Sequence, residues 1–126
     1  RAWIKAHPAK GRALMASNPS YIFFRIVGDG GGSGGPMGAQ GVALTPGRSL
    51  AVDRKFIPLG TPLWLDTTDP LAPASPLRRL VIAQDSGAAI RGPVRGDLFW
   101  GWGDEAAGRA GAMKARGSYY LLIPNK

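Results

Sequence analysis

The chain has 126 residues and a formal net charge of +8, contains no cysteine and has a single histidine, His7. A chain of this length fits one compact domain with its own core. The absence of cysteine excludes disulfides and thiolate metal sites, and one histidine excludes a His-cluster metal centre and disfavours Ser-His-Asp catalysis. We therefore expect neither a metal nor another cofactor.

The positive charge favours acidic polymers as partners, such as nucleic acid, anionic lipid or an acidic cell-wall polymer. The 16 Lys and Arg residues are scattered with no run of five or more, so a nucleic-acid-binding arm is not predicted. No apolar stretch reaches the roughly 18 residues of a membrane span. Because the chain starts at Arg1 and not at Met, we interpret it as a processed product or a part of a longer protein.

The predicted elements begin with helix and continue mostly as short strands. Residues 2–16 are predicted as helix that is interrupted or restarted at Pro8, since proline is favoured in a first helical turn. A strand rich in aromatic and β-branched residues follows over 21–27, and then a glycine-rich loop over 28–35 that lacks the Gly-Lys-Ser/Thr of a phosphate-binding loop.

The composition predicts a mainly β domain with many tight turns, because 19 glycines and 11 prolines are spread along the whole chain. A helix is expected to begin at Asp104 as N-cap and to end before Gly117 at the C′ position. Short strands are predicted over 41–44, 50–52, 61–66, 79–84, 97–100 and 118–123.

Two carboxylates, Asp85 and Asp97, lie in one short window beside apolar residues. The run Leu80–Ala83 leads into Asp85, and Leu98–Trp100 follows Asp97. A carboxyl group beside an apolar wall loses hydration, which raises its pKa and lets it donate a proton near neutral pH. The alternative is that both are turn aspartates that accept hydrogen bonds from nearby backbone N–H groups.

Three segments, residues 53–61, 83–92 and 96–101, together resemble the three-aspartate (3D) domain, whose namesake acids correspond to Asp53, Asp85 and Asp97. With residues 18–25 and 35–39, the resemblance extends over nearly the whole chain to the C-terminal part of the membrane-bound lytic murein transglycosylase A family.

The resemblance implies a double-psi β-barrel, complete or cut, with two flanking helical regions. It implies a single catalytic domain over 1–126 that forms the C-terminal part of a longer protein. In the family, sequence before this region supplies part of the barrel and a second domain that helps to form the glycan groove. A further N-terminal segment or a second chain is therefore expected to complete the barrel.

The activity implied is cleavage of the β-1,4 bond between N-acetylmuramic acid and N-acetylglucosamine in peptidoglycan, with formation of a 1,6-anhydro sugar. Asp97 is expected to act as general acid and then as base, and Asp85 to support it. The implied partner is the peptidoglycan glycan strand, without nucleic acid, and the implied location is the periplasm at the outer membrane.

Seven further residues are expected to contact the glycan, each with an alternative role. For Asp53, ion pairing or a turn is favoured over proton transfer, because cationic Arg54 and Lys55 follow it. Arg91 and Arg95 are expected either to bind the lactyl-peptide carboxylate or to be solvated charges. Trp100 and Trp102 could both stack on sugar rings, but one of the two is expected to pack in the core instead. The seven residues are Asp53, Gln84, Gly87, Ala88, Arg91, Trp100 and Trp102.

Two other functions compete with this interpretation. A non-catalytic peptidoglycan-binding module is compatible with the same fold, because fold does not fix function. A nucleic-acid-binding barrel is indicated by the positive charge alone, and the chain lacks clustered basic residues with interleaved aromatics.

Overall fold

The computed structural model of the protein describes residues 2–19 and 35–125. The chain forms two compact units, residues 1–31 and residues 32–126. In the first unit, helix α1 (Ala2–Ala6) is followed by helix α2 (Pro8–Ala16), as the sequence predicts. His7 lies between them, stacks on Trp3 with ring centroids 4.8 Å apart, and donates from Nδ1 to the Trp3 carbonyl at 3.0 Å. The predicted strand over 21–27 lies outside the described residues, as does most of the glycine-rich loop.

The second unit is a curled, half-barrel sheet with one helix, which confirms the prediction of a mainly β fold with helical regions. Its elements are β1 (Ser49–Val52), β2 (Pro62–Thr68), β3 (Pro76–Asp85), β4 (Gly96–Leu98), α3 (Gly103–Ala112) and β5 (Ser118–Leu121). The five strands follow the order β4-β1-β3-β2-β5 in the sheet. Strand β1 is parallel to β3, and every other pairing of these strands is antiparallel.

The core lies on one face of this sheet, because buried and exposed residues alternate along the strands. In β2, Leu63 and Leu65 are buried while Trp64 between them is exposed. Pro62 is the first residue of β2, a position in an internal strand where the missing N–H of proline is tolerated. The buried cluster consists of Leu50, Val52, Ile57, Leu63, Leu65, Val81 and Ala83.

Two predicted elements differ from the structure. Residues 41–44 form no strand, because Gly41 has φ +81° in a turn and only Ala43 bridges to Met37. Helix α3 begins at Gly103 after Trp102 as N-cap, and it ends at Ala112 rather than near residue 116. None of the described helices is long and apolar enough to span a membrane.

The predicted C′ role of Gly117 is wrong, because the chain leaves α3 in an extended conformation at Met113, with ψ 107°. The extended segment brings β5 alongside β2. Gly117 is needed there for a different reason: a Cβ atom at this position would lie 2.6 Å from the Asp66 carbonyl oxygen and from Thr67 Cβ.

Candidate active site

The two acids of the predicted site lie in one row across the sheet. Ala51, in the central part of β1, pairs with Asp85 on β3 and with Asp97 on β4. Residues directly opposite one another on neighbouring strands project from the same face. With strands about 4.8 Å apart, the two Cα atoms are roughly 10 Å apart. The sheet therefore places both carboxylates on one face, separated by the methyl group of Ala51.

A β-bulge between Leu50 and Ala51 sets the position of Asp85. Leu50 pairs with Ala83 and Ala51 pairs with Asp85, so Gln84 is the extra residue on β3. Bulges of this kind redirect side chains and often lie next to functional sites. The Gln84 side chain is half-buried, and its Oε1 accepts a 2.6 Å hydrogen bond from the hydroxyl of the fully buried Ser49.

The Asp85 carboxylate is fixed by the loop that packs against the end of β3. Its Oδ1 accepts a hydrogen bond from the Ala39 N–H at 3.0 Å. The preceding residue, Gly38, is buried, and a Cβ atom there would lie 2.5 Å from both the Gln84 carbonyl oxygen and Leu44 Cδ2. Only glycine allows this close approach, which brings the Ala39 N–H to the carboxylate.

The Asp97 carboxylate is paired with Arg95, two residues earlier on the same side of the chain. Arg95 donates from Nε to Oδ1 at 2.8 Å and from Nη2 to Oδ2 at 3.5 Å. The hydrogen bond that Arg95 donates to Asp97, and then the negative charge of Asp97, raise the pKa of Arg95. Both side chains are about half exposed, and ion pairs in such positions contribute little to stability. The pair can therefore open without disturbing the fold.

Asp97 lies where two cavities meet. One, of about 310 Å³, extends between Asp97 and Asp85 and is also lined by Ser86 and Gly87. The other, of about 510 Å³, is lined by Asp97, Arg95 and Trp100 together with residues at the end of α3. A carboxyl group at this junction is accessible from both sides, as an extended polymer substrate requires.

The loop between Asp85 and Asp97 is anchored by hydrogen bonds at two adjacent residues, Gly92 and Pro93. Asp53 is 6 % exposed and accepts hydrogen bonds from the Gly92 N–H at 2.8 Å and the Lys55 N–H at 3.0 Å. These two bonds lower the pKa of Asp53, and the charges of Arg91 and Lys55 add to the effect against an opposing contribution from burial. At the next residue, the Pro93 carbonyl accepts a hydrogen bond from the Tyr119 hydroxyl, whose pKa burial raises.

Of the other predicted glycan contacts, Gly87 lines the 310 Å³ cavity and Trp100 lines the 510 Å³ cavity. Gly87, Ala88 and Arg91 are exposed on the anchored loop. Trp100 is half-buried beneath the Arg109 guanidinium, whose Cζ is 5.3 Å from the ring centroid, and its Nε1 has no hydrogen-bond partner among the described residues. Trp102 is 67 % exposed.

Sequence reasoning missed Ser49 and Arg109, because a serine in a strand and an arginine in a helix carry no distinctive pattern. Within residues 2–19 and 35–125, no cluster of three or more His, Asp or Glu side chains is arranged to hold a metal ion.

Residues 48–123 match the 3D domain family, so the chain belongs to that family. The membrane-bound lytic murein transglycosylase A of Escherichia coli K12 is 36 % identical over 129 residues, which cover 97 % of this chain and 33 % of that protein. The chain therefore spans about a third of the length of the curated relatives that it matches.

Solved structures of such enzymes resemble the chain over almost its full length. LtgG, a lytic transglycosylase of Burkholderia pseudomallei, is 52 % identical with a TM-score of 0.74, covering 99 % of this chain and 37 % of that one. E. coli MltA with bound chitohexaose is 33 % identical with a TM-score of 0.80, covering 98 % of this chain and 37 % of that one. The solved relatives have the double-psi barrel fold.

Proposed function

We propose that this chain is the catalytic 3D domain of a lytic transglycosylase that cleaves the β-1,4 bond between N-acetylmuramic acid and N-acetylglucosamine in peptidoglycan. The observation that carries the proposal is the placement of Asp97 at the junction of two cavities, in one row with Asp85 across Ala51. The names of the relatives, and the chitohexaose bound to one of them, support a glycan substrate.

In the proposed reaction, a single carboxyl group transfers the proton twice. Asp97, protonated, donates its proton to the glycosidic oxygen as the bond to the anomeric carbon breaks. The C6 hydroxyl of the same muramic acid ring then attacks that carbon, and the Asp97 carboxylate accepts its proton, which closes the 1,6-anhydro ring. Because the hydroxyl is tethered to the sugar, the step has the entropic advantage of an intramolecular reaction and needs no positioned water.

The other residues support this reaction from around the cavities. Asp85, held by the Ala39 N–H, fixes one wall of the cavity beside Asp97. Asp53 acts through the loop that it anchors at Gly92, because both of its oxygens already accept backbone hydrogen bonds. The residues proposed to contact the glycan are Gln84, Gly87, Ala88, Arg91, Trp100 and Trp102.

We also propose that a further segment, or a second chain, completes the barrel. Strands β4 and β5 lie at the two ends of the sheet, and each pairs on one side only within the described residues. Unpaired strand edges are templates for additional strands. By likeness to the membrane-bound relatives, the whole protein acts in the periplasm at the outer membrane.

The experiment that tests the activity is digestion of purified peptidoglycan by the wild-type protein and by Asp97→Asn, followed by mass analysis of the soluble products. The wild type should release products lighter by one water than the corresponding hydrolysis products. Asp97→Asn should lower kcat by about 10²–10⁴-fold, the usual contribution of a general acid–base group.

The matched control is Asp66→Asn, which removes a similar pair, with Arg78, elsewhere on the sheet surface. It should leave turnover unchanged. Wild-type rates of product release by Asp97→Asn would contradict the assignment.

One observation favours the second candidate, a non-catalytic peptidoglycan-binding module. In this conformation Arg95 Nε lies 2.8 Å from Asp97 Oδ1, so an arginine of the protein occupies the oxygen that would face the glycosidic bond. That function would retain the protein on insoluble peptidoglycan with no soluble product, and neither result would change in Asp97→Asn.

A further inference from the structure

A third cavity, of about 400 Å³, borders Trp100 and lies apart from both acids. We call it the Arg79 cavity; its lining includes Gly47, Asp69, Arg79, Trp100, Trp102 and Arg109. Trp100 also lines the 510 Å³ cavity that contains Asp97, so the two cavities are neighbours across this side chain. A polymer bound beside Asp97 therefore has the Arg79 cavity on the far side of the Trp100 side chain.

Arg79 brings a positive charge with spare hydrogen-bond donors to this cavity. Its guanidinium is partly buried and makes one long hydrogen bond, from Nη1 to the Gly47 carbonyl oxygen at 3.4 Å. Within the described residues, no carboxylate forms an ion pair with it. Burial lowers the pKa of Arg79, the charges of Arg48 and Arg109 lower it further, and the charge of Asp69 opposes them. A partly desolvated guanidinium that makes no direct ion pair is a favourable partner for a carboxylate.

The two acids that line the cavity, Asp69 and Glu105, both contact a different arginine. Arg109 donates from Nη1 to Asp69 at 2.6 Å and from Nε to Glu105 at 3.3 Å. The backbone N–H of Leu71 and the Arg109 contact lower the pKa of Asp69, so it stays an anion paired with Arg109. Of the two arginines in the described lining, Arg79 is therefore the one that forms no ion pair and has donors free for a ligand.

The two tryptophans give the cavity a preference for rings over linear acids. Trp102 is 67 % exposed, so most of its indole surface is free. Trp100 is held in place beneath the Arg109 guanidinium. Indole faces stack on the apolar faces of sugar rings, while a guanidinium binds a carboxylate in a fixed, bidentate geometry.

We propose that the Arg79 cavity binds an acidic sugar of the glycan strand, with the Arg79 guanidinium on the lactyl carboxylate of an N-acetylmuramic acid unit and Trp102 against the ring. This assignment rests on the proposed function, because it places a second part of the same strand beyond Trp100. It makes Arg79 a residue that distinguishes acidic peptidoglycan from neutral chitin.

The test is calorimetric binding, in the Asp97→Asn background, of two ligands of equal length. One is neutral chitotetraose, and the other is a tetrasaccharide of alternating N-acetylglucosamine and N-acetylmuramic acid. Arg79→Gln should weaken binding of the acidic ligand about tenfold and change binding of chitotetraose less than about twofold, because one charged hydrogen-bonded contact is lost. Trp102→Ala should weaken both ligands by the same factor, because stacking is insensitive to the carboxylate.

Arg78→Gln is the matched control, because Arg78 is the adjacent arginine on β3, is 62 % exposed and pairs with Asp66. It should leave both affinities unchanged. Equal effects of Arg79→Gln on the two ligands, or none on either, would overturn the proposal. If Arg79→Gln does not fold, Arg79→Lys decides: it keeps the charge and loses the bidentate geometry, so selective weakening of the acidic ligand supports the proposal and unchanged binding refutes it.

The outcome is separable from that of the proposed function. Selective loss of the acidic ligand in Arg79→Gln, together with no anhydro product from the wild type, would leave an acidic-sugar site in a protein that does not cut. Anhydro products from the wild type, with no ligand selectivity at Arg79, would leave the enzyme without this site.

Discussion

Replacement of Ser49 by alanine should destabilise the protein, because this hydroxyl connects the floor of the candidate site to the turn before β1. Ser49 is fully buried. Its Oγ donates to Gln84 Oε1 at 2.6 Å and accepts from the Thr45 N–H at 2.8 Å. The alanine variant removes both hydrogen bonds, so the amide oxygen of Gln84 and the backbone N–H of Thr45 lose this partner.

The expected loss is about 2 kcal/mol of unfolding free energy. A stranded buried polar group costs about 1–3 kcal/mol. Two such groups would together cost about 2–6 kcal/mol. Because Gln84 is half-buried and Thr45 is exposed, water replaces part of the lost hydrogen bonding, and the expected loss lies at the lower end of that range. With a urea m-value of about 2 kcal/mol/M for a protein of this size, the midpoint of unfolding should fall by roughly 1 M.

The assay is urea unfolding followed by tryptophan fluorescence, with Ser118→Ala as a control. Ser118 is exposed at the start of β5, and its replacement should change stability by less than about 0.5 kcal/mol. The double variant Ser49→Ala with Gln84→Leu should be more stable than the sum of the single changes predicts, by at least about 0.5 kcal/mol, since the Gln84 oxygen is then no longer left without its donor. Additive effects, or a midpoint for Ser49→Ala that matches the wild type, would refute the reasoning.

Three other substitutions test the fold around the site by the same unfolding measurement. Leu63→Ala, at a core position with 0 % exposure, should cost about 2–5 kcal/mol, and a smaller loss would show that the half-barrel core is loosely packed. Gly108→Ala should stabilise the protein by about 0.5–1 kcal/mol, because the position is an exposed one in α3 with no atom within 4 Å of an added Cβ; destabilisation would mean that α3 packs differently. The pKa of Asp53 is lowered on folding, so its stabilising contribution is present at pH 7 and is lost as the pH falls below the ordinary value of 3.8; wild type and Asp53→Asn should converge at low pH, and a constant gap between their urea midpoints would contradict this.

The sequence predicted the local features of the site better than its long-range pairings. Apolar runs next to Asp85 and Asp97 correctly indicated that each acid adjoins a strand. Which strands would be neighbours could not be predicted, because pairing of Ala51 with both acids joins residues that are far apart in the chain. The bulge at Gln84 was also unforeseen, since it follows from the register of the parallel pair.

The contacts of Asp53 divide in the same way. Its bond to the Lys55 N–H is a local turn of the kind that aspartate forms readily, and the sequence indicated such a role. Its bond to Gly92 spans 39 residues and depends on the whole sheet. The Arg95–Asp97 pair was not predicted: Arg95 precedes β4, and the sequence left it as either a substrate contact or a solvated charge.

The lone methyl group of Ala51 also has a practical implication for engineering. Backbone hydrogen bonds on both flanks hold the spacing of the two acids, so a larger residue at this position would narrow the gap between them without moving either one. Serine or valine at position 51 would thus limit the size of the sugar ring that fits between Asp85 and Asp97. Inhibitors could then be ranked by the gap between the two acids that each one requires.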